Sequence, residues 1–212
     1  MTYRPRIKIC GIREGLHGVV AADAGADAIG LVFYRESPRF VTPGTAANVV
    51  ALLPPFVTTV GLFVDADEGK IHDTLATVRL DCLQFHGSET PEWLALIKNN
   101  TALEVWKAWG VRNADSLAKA TKYAGAVHRM LYDAPANKAP GGQGLAIDWS
   151  LLANHRHELP WGLAGGLTPA NVAEAIAQTR APLVDASSGL ESAPGVKDAN
   201  LIRAFCEAAR KA

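Results

Sequence analysis

The sequence predicts an α/β protein that folds as one closed (β/α)₈ barrel over residues 1–212. Strand-like and helix-like patterns alternate along the whole chain, and each pair occupies about 25 residues. Eight such pairs can be counted, and their strands are mostly apolar, as expected when helices cover a parallel sheet. Because 212 residues are few for eight units, the loops must be short. An open, doubly wound sheet is the alternative arrangement.

The first half of the chain contains four strand–helix units. The opening strand, RIKIC, places Lys8 and Cys10 on one face and two isoleucines on the other, and a glycine ends it. The next three strands are DAIGLVF, VTTVGLFV and DCLQF. Helical spacing follows these four strands in EGLHGVVAADAGA, from about Pro43 to Leu53, from about Asp67, and in TPEWLALIKN.

The second half continues the same alternation. Its strands are LEVWKAW, VHRMLYD, PWGLAG and LVDAS. The helices that follow them are ADSLAKAT, IDWSLLAN, TPANVAEAIAQ and NLIRAFCEAARK, with a loop between the sixth strand and its helix. No linker, charge block or low-complexity segment divides the chain, so the sequence predicts one domain.

The composition excludes several classes of partner. Lys plus Arg and Asp plus Glu number 21 each, so no overall basic field would attract nucleic acid or an anionic membrane. The N-terminus lacks a basic segment followed by an apolar one, and no uninterrupted apolar run is long enough to span a membrane. We therefore expect a cytoplasmic protein with neither a nucleic-acid nor a membrane partner.

The three cysteines are considered singly, because they are far apart and have no CxxC spacing. This distribution disfavours a disulfide framework and a structural zinc site. Cys82 lies in an apolar strand and Cys206 on the apolar stripe of the last helix, so both are expected to pack in the core. Cys10 differs because it ends its strand.

Polar side chains follow five of the predicted strands at the point where each strand ends. In a parallel barrel all these ends meet at one rim, which is where such barrels carry their sites. The five candidates are Cys10, Arg39, His86, Asp133 and Asp185. Their shared position favours a functional role over five independent structural ones.

Each candidate nevertheless has a structural alternative. Arg39 could pair with Glu36 on the surface, His86 could be a satisfied core histidine, and the two aspartates could cap turns. Lys8 shares a face with Cys10 and is expected to form an ion pair in the barrel interior.

Glycine-rich loops after the late strands indicate a phosphate site. Glycine lets a backbone approach an anion closely and turn its N–H groups toward it, and the loops after strands seven and eight often bind phosphate in such barrels. The phosphate-binding candidates are Gly142, Gly144, Gly165, Gly166, Ser187, Ser188 and Gly189. We therefore expect a small phosphorylated ligand.

The residue types at the rim favour acid–base chemistry. A thiol can act as nucleophile, metal ligand, redox centre or base, but no second cysteine is near for redox work and no His-and-acid cluster suggests a metal. A thiol on strand one and a carboxyl group on strand six could remove a proton at one atom and deliver one at another.

A series of motifs covers nearly the whole chain and occurs in the order KICGI, GADAIGLVFYRESPRFV, VGLFVD, LQFHGSE, LYDA, GGQG with IDW, LAGGLTPANV and VDASSGLESAPGVKD. In order and number these motifs resemble those of the phosphoribosylanthranilate isomerases of tryptophan biosynthesis. The resemblance implies a single barrel that performs an Amadori rearrangement of N-(5′-phosphoribosyl)anthranilate without metal or organic cofactor. It further implies that Cys10 is the general base and Asp133 the general acid.

The resemblance also implies roles in substrate binding. Arg39 would bind the anthranilate carboxylate, and His86 and Asp185 would line the site. Because a thiol must be deprotonated to act as a base, we expect the pKa of Cys10 to lie below its unperturbed value of about 8.5. Because the sequence shows no evident stripe for dimerisation, we expect a monomer.

The chain departs from the family pattern at three places. Arg13 replaces a usual threonine, Tyr34–Glu36 replaces a more proline-rich segment, and Ala186 replaces a usual valine.

The alternative functions are those of another phosphosugar barrel and of a phosphate-binding module without turnover. The histidine-pathway isomerase has an aspartate where this chain has Cys10, and indole-glycerol-phosphate synthase needs a lysine array and an N-terminal extension not seen here.

Overall fold

A computed structural model describes residues 4–135 and 147–212 and contains a closed barrel of eight parallel strands. Each strand pairs with the next in sequence, and β1 pairs with β8 to close the ring. The strands are β1 Arg6–Cys10, β2 Ala28–Val32, β3 Thr58–Phe63, β4 Cys82–Phe85, β5 Glu104–Gly110, β6 Arg129–Asp133, β7 Trp161–Leu163 and β8 Leu183–Ala186. The (β/α)₈ TIM barrel predicted from the sequence is confirmed, and the open sheet is wrong.

Helices surround the barrel and alternate with its strands. They are α1 Gly15–Asp23, α2 Pro43–Val50, α3 Glu68–Thr77, α4 Pro91–Asn100, α5 Ala114–Ala118, α6 Trp149–Ala153, α7 Val172–Thr179 and α8 Ala199–Arg210. Several begin at a side-chain cap: the Thr42 hydroxyl accepts from the Thr45 amide at α2, and the Asp198 carboxylate accepts from two amides at α8. In the described part of the chain, no helix is long and apolar enough to cross a membrane.

Helix α2 ends earlier than the sequence pattern suggests. The helix was expected to reach Leu53 but ends at Val50, and residues 51–53 form a turn. Pro54 and Pro55 explain the difference, because a proline disfavours helical backbone in the residue before it and ends the hydrogen-bond ladder.

The barrel interior has an apolar lower layer that separates the two ends of the barrel. Its side chains are Ala28, Val60, Cys82, Trp106, Leu131 and Leu183, with Ala108 and Ala164 in the same cluster. Cys206 is buried on α8 between the helix and the barrel. The core positions expected for Cys82 and Cys206 are thus observed.

A short hairpin after the eighth strand was not predicted. It consists of β9 Glu191–Ala193 and β10 Val196–Lys197, which pair antiparallel. A single 3₁₀ turn, Ser188–Leu190, connects β8 to the hairpin. These strands have only three and two residues, too few for a period-2 pattern to be recognised.

Candidate active site

A cleft at the carboxyl ends of the strands contains all five of the predicted rim residues. With the open solvent at its mouth included, the cleft has a volume of about 680 Å³. The side chains of Cys10, Arg39, His86, Asp133 and Asp185 all line it, although they come from different strands or the loops that follow. The barrel geometry therefore brings together every candidate that strand-end position had identified.

Cys10 ends β1 and lies at the floor of the cleft, 5% exposed. Its register partner on β2 is Gly30, where a Cβ atom would lie 2.7 Å from the Cys10 sulfur, so glycine makes room for the thiol. Burial raises the pKa of the Cys10 thiol, and the positive charges of Lys8 and Lys197 offset this only in part. The lowered pKa expected for Cys10 from the sequence is therefore wrong.

Because burial favours the neutral thiol, we expect alkylation of Cys10 by iodoacetamide to accelerate with pH and to keep rising above about 8.5, the ordinary pKa of cysteine. The measurement is the rate of adduct formation on the Cys10 peptide by mass spectrometry. The peptides of the buried Cys82 and Cys206 serve as internal controls and should stay unmodified in folded protein. A rate that is already constant below about pH 7 would contradict the raised pKa.

Lys8 and Asp185 form an ion pair inside the barrel. The Lys8 Nζ lies 2.8 Å from the Asp185 Oδ2, and the two residues face each other in the β1–β8 register that closes the ring. Burial alone would lower the pKa of Lys8, but Asp185 and Cys10 raise it above its ordinary value, so the ammonium stays charged. The interior ion pair expected for Lys8 is confirmed, with a partner that the sequence had assigned to substrate.

Asp185 retains one carboxylate oxygen for another contact. Its Oδ1 is buried and has no hydrogen-bond partner among the residues that the structure describes. A buried acceptor without a partner is costly, so a ligand hydroxyl or N–H group in the cleft would stabilise it. Asp185 can therefore hold Lys8 and a ligand at the same time.

His86 and Asp133 meet across the cleft. The His86 Nε2 lies 3.3 Å from the Asp133 Oδ2, and the Asp133 Oδ1 accepts a hydrogen bond of 2.7 Å from the Ala134 amide. His86 is therefore not an isolated core histidine, because it contacts a carboxyl group at the site. Both oxygens of Asp133 are held in position, which orients this group toward the cleft.

Arg39 makes a two-pronged ion pair with Glu191 of the hairpin, not the surface pair with Glu36 that was the structural alternative. The Arg39 Nε and Nη2 each donate to a different Glu191 oxygen at 2.8 Å. The stem of Arg39 passes over Gly11, where a Cβ atom would lie 2.7 Å from the Arg39 Cδ and where φ is +79°. Glycine at position 11 thus serves both the turn after β1 and the path of Arg39.

The glycine-rich loops after β7 and β8 form one side of the cleft. Gly165, Gly166, Ser187 and Ser188 line it, and both glycines have positive φ. Gly189 is not part of the lining; a Cβ atom there would lie 2.1 Å from the Leu167 carbonyl oxygen, so this glycine allows the two loops to pack closely. The remaining two candidates, Gly142 and Gly144, lie outside the described residues.

The sequence predicted no role for several other residues at the site. Tyr34 and Gln84 line the cleft, while Glu191 and Lys197 lie behind Arg39. Gln84 could have been found, because it shares a strand face with His86 two residues later. No sequence pattern indicated a role for Glu191 and Lys197 before the hairpin was known.

Within residues 4–135 and 147–212 no cluster of three or more His, Cys, Asp or Glu side chains could hold a metal ion.

Comparison with known proteins decides the family. Residues 7–208 match the sequence profile described as N-(5′-phosphoribosyl)anthranilate (PRA) isomerase. The chain belongs to the PRA isomerase family. The PRA isomerase of Erythrobacter litoralis is 51% identical over 206 residues, which cover 97% of this chain and 99% of the relative. That of Paramagnetospirillum magneticum is 50% identical over 207 residues and covers 96% of each chain.

Solved PRA isomerases have the same fold. The Thermotoga maritima enzyme superposes with a TM-score of 0.89 at 37% identity, over 98% of this chain and 100% of that one. Another PRA isomerase structure, at 36% identity and a TM-score of 0.86, is a complex with reduced 1-(o-carboxyphenylamino)-1-deoxyribulose 5-phosphate. The family resemblance and the enzyme class, an isomerase, are thereby confirmed for this PRA isomerase family member.

Proposed function

We propose that the chain converts N-(5′-phosphoribosyl)anthranilate into 1-(2-carboxyphenylamino)-1-deoxyribulose 5-phosphate by an Amadori rearrangement, as a step of tryptophan biosynthesis. The observation that carries this proposal is the meeting of Cys10 and Asp133 in one cleft, in a chain of the PRA isomerase family. A relative of the family has been solved with the reduced form of that product, which supports the choice of ligand.

Cys10 and Asp133 are the proposed base and acid. They end β1 and β6, so a substrate in the cleft between these strands would have the thiol on one side and the carboxyl group on the other. Asp133 would protonate the furanose ring oxygen, and Cys10 would take the proton from C2′ after the ring opens. His86 would keep the Asp133 carboxyl group in place through the 3.3 Å contact.

Charge and hydrogen-bonding capacity support the contacts that we propose for the rest of the substrate. Arg39 offers a planar guanidinium to the anthranilate carboxylate, and Asp185 offers its unpartnered oxygen to a sugar hydroxyl. The backbone around Gly165, Gly166, Ser187 and Ser188 would bind the phosphate. This arrangement needs no lysine cluster, because backbone N–H groups supply the donors.

We expect Gly166→Val to raise KM by about tenfold or more with a smaller change in kcat, because the phosphate does not react and its binding is lost equally from ground and transition states. The measurement is steady-state kinetics on folded protein. Gly125→Val is the matched control, since Gly125 also has positive φ and has open space around its would-be Cβ. An unchanged KM in Gly166→Val would place the phosphate elsewhere.

Turnover of freshly made substrate tests the proposed function. The purified protein is mixed with N-(5′-phosphoribosyl)anthranilate, and the fluorescence of the substrate is followed as it is consumed. An isomerase lowers the fluorescence at a rate proportional to enzyme concentration, whereas a module that only binds the ligand leaves it unconsumed. Turnover of the histidine-pathway substrate, measured in parallel, shows whether the protein acts instead as the related phosphosugar isomerase.

The monomeric state stays a prediction. One Thermotoga maritima structure is described as monomers generated from a dimeric PRA isomerase. In this chain Phe56 is fully exposed, and Leu16 and Leu52 are also largely exposed. Sedimentation of the purified protein at several concentrations gives the oligomeric state directly.

A further inference from the structure

The hairpin β9–β10 supplies a carboxylate that holds Arg39 from behind. Glu191, at the start of β9, is 4% exposed and accepts from the Nε and Nη2 of Arg39, which is 11% exposed. A bidentate contact of this kind fixes the plane of the guanidinium as well as its position. The orientation of Arg39 at the cleft is therefore set by a residue that does not itself line the cleft.

Glu191 is in turn held by its own hairpin. The Lys197 Nζ donates to Glu191 Oε1 at 2.6 Å, and the Gly195 amide donates to Oε2 at 3.1 Å. Lys197 is 1% exposed and also donates to the Ser187 carbonyl oxygen at 3.0 Å, which ties the hairpin to the end of β8. A Cβ atom on Gly195 would lie 2.2 Å from the Pro38 carbonyl oxygen, so the hairpin packs directly against the segment that carries Arg39.

The charges of this group leave one positive charge for a ligand. Burial disfavours the carboxylate, but hydrogen bonds from Arg39 and Lys197 keep the pKa of Glu191 below its ordinary value, so it is ionised at neutral pH. One negative and two positive side chains then leave an excess of one positive charge. An anionic substrate group at Arg39 would neutralise it.

Arg39 also keeps donors for such an anion. A guanidinium has five N–H groups, and Glu191 occupies one on Nε and one on Nη2. The outer edge, formed by Nη1 and the second N–H of Nη2, has the same fork geometry that matches a carboxylate. If Arg39 swung away from Glu191, this edge would no longer be fixed relative to the cleft.

We propose that Glu191 is a positioning residue of the active site. It holds Arg39 so that the free edge of the guanidinium donates hydrogen bonds to the substrate carboxylate, and Lys197 in turn holds Glu191. This inference rests on the proposed function, in which Arg39 binds that carboxylate. The competing explanation is that the group only anchors the hairpin. Anchoring alone would affect stability and would not distinguish ligands by their carboxylate.

The test measures recognition of the carboxylate by Glu191→Gln, which keeps the side-chain shape but removes the charge. Calorimetry gives the Kd of the reduced product and of its counterpart that lacks the carboxylate. In the wild-type protein the carboxylate should strengthen binding, and in Glu191→Gln this advantage should shrink by about tenfold or more. Glu207→Gln is the matched control, because Glu207 pairs with Lys211 on the exposed face of α8.

A double-mutant cycle shows whether Glu191 acts through Arg39. Glu191→Gln should lower kcat/KM mainly through KM in the wild-type background and should have little further effect in Arg39→Ala. Equal loss of affinity for both ligands, or an undiminished effect of Glu191→Gln in Arg39→Ala, would overturn the positioning role. If Glu191→Gln does not fold, Glu191→Asp decides by the same comparison, since it keeps the charge but is too short for both contacts.

The same data separate this inference from the proposed function. If Arg39→Ala retains the full gain in affinity that the carboxylate confers, Arg39 does not bind the carboxylate, and the substrate contact proposed for Arg39 is itself wrong. If Arg39→Ala loses this gain in affinity and Glu191→Gln keeps it, the proposed contact of Arg39 with the carboxylate is retained and only the positioning role of Glu191 fails.

Discussion

Replacing Cys10 with alanine is expected to lower kcat by at least about a hundredfold while the barrel remains folded. Among the described residues that line the cleft, the substitution removes the only thiol, and it leaves Lys8 and Asp185 paired beneath it. In the proposed reaction the alanine methyl group at this position could not accept the C2′ proton of the substrate. Steady-state kinetics gives kcat, and thermal unfolding of the same preparation shows whether the barrel remains folded.

Cys82→Ala is the matched control for this substitution. Cys82 is as buried as Cys10 but belongs to the apolar lower layer of the barrel, away from the cleft. Its loss should reduce stability, because it leaves a small cavity, and should leave kcat nearly unchanged. Near-normal turnover in folded Cys10→Ala would remove Cys10 from the mechanism.

The second large effect is expected for Asp133→Asn, again at least about a hundredfold in kcat. Asparagine has nearly the same shape and can still accept from the Ala134 amide, so the cleft should keep its geometry. It cannot deliver a proton to the furanose ring oxygen. The loss would therefore report on proton transfer and not on a disturbed fold.

Asp27→Asn provides the corresponding control. Asp27 lies at the opposite end of the barrel, where its Oδ2 accepts from the Ile7 amide at 2.8 Å. This variant should change the free energy of unfolding and leave turnover unaffected. Retained activity in Asp133→Asn, with unchanged product, would show that another group supplies the proton.

The two proposed roles together conserve protons over the reaction. In the proposed mechanism Asp133 would give a proton to the ring oxygen, the C1′–O bond would break, and the nitrogen lone pair would form a Schiff base with C1′. Cys10, as thiolate, would take the C2′ proton, and the electron pair of the broken C2′–H bond would form the C1′–C2′ double bond of an enolamine. The enolamine would then gain a proton at C1′ and lose one from the 2′-hydroxyl, which would yield the ketone. Because burial raises the pKa of Cys10, the proposed thiolate base would be a minor species at neutral pH.

Much of the site could be predicted because of the symmetry of the fold. In a parallel barrel every strand ends at the same rim, so Cys10, Arg39, His86, Asp133 and Asp185 could be grouped without any contact information. The period-2 rule also placed Lys8 in the interior. Its partner, Asp185, depended on the pairing of β1 with β8, which joins residues 177 apart in sequence.

Other features depend on contacts that no local pattern contains. The natural sequence-based partner for Arg39 was Glu36, three residues away, yet the observed partner is Glu191, 152 residues away. The hairpin that presents Glu191 is too short to be recognised by periodicity. The direction of the Cys10 pKa shift was predicted wrongly because it depends on how deeply the thiol is buried, which is a property of the assembled barrel.

A crystal structure of this protein with the reduced product bound would show whether Cys10 and Asp133 meet the reacting atoms. We expect the phosphate against Gly165, Gly166, Ser187 and Ser188 and the carboxylate on the outer edge of Arg39. We also expect C2′ within about 3.5 Å of the Cys10 sulfur, and the 4′-oxygen, which was the ring oxygen, beside Asp133. A ligand bound in the cleft with C2′ far from Cys10, or with phosphate and carboxylate exchanged, would refute the proposed mechanism.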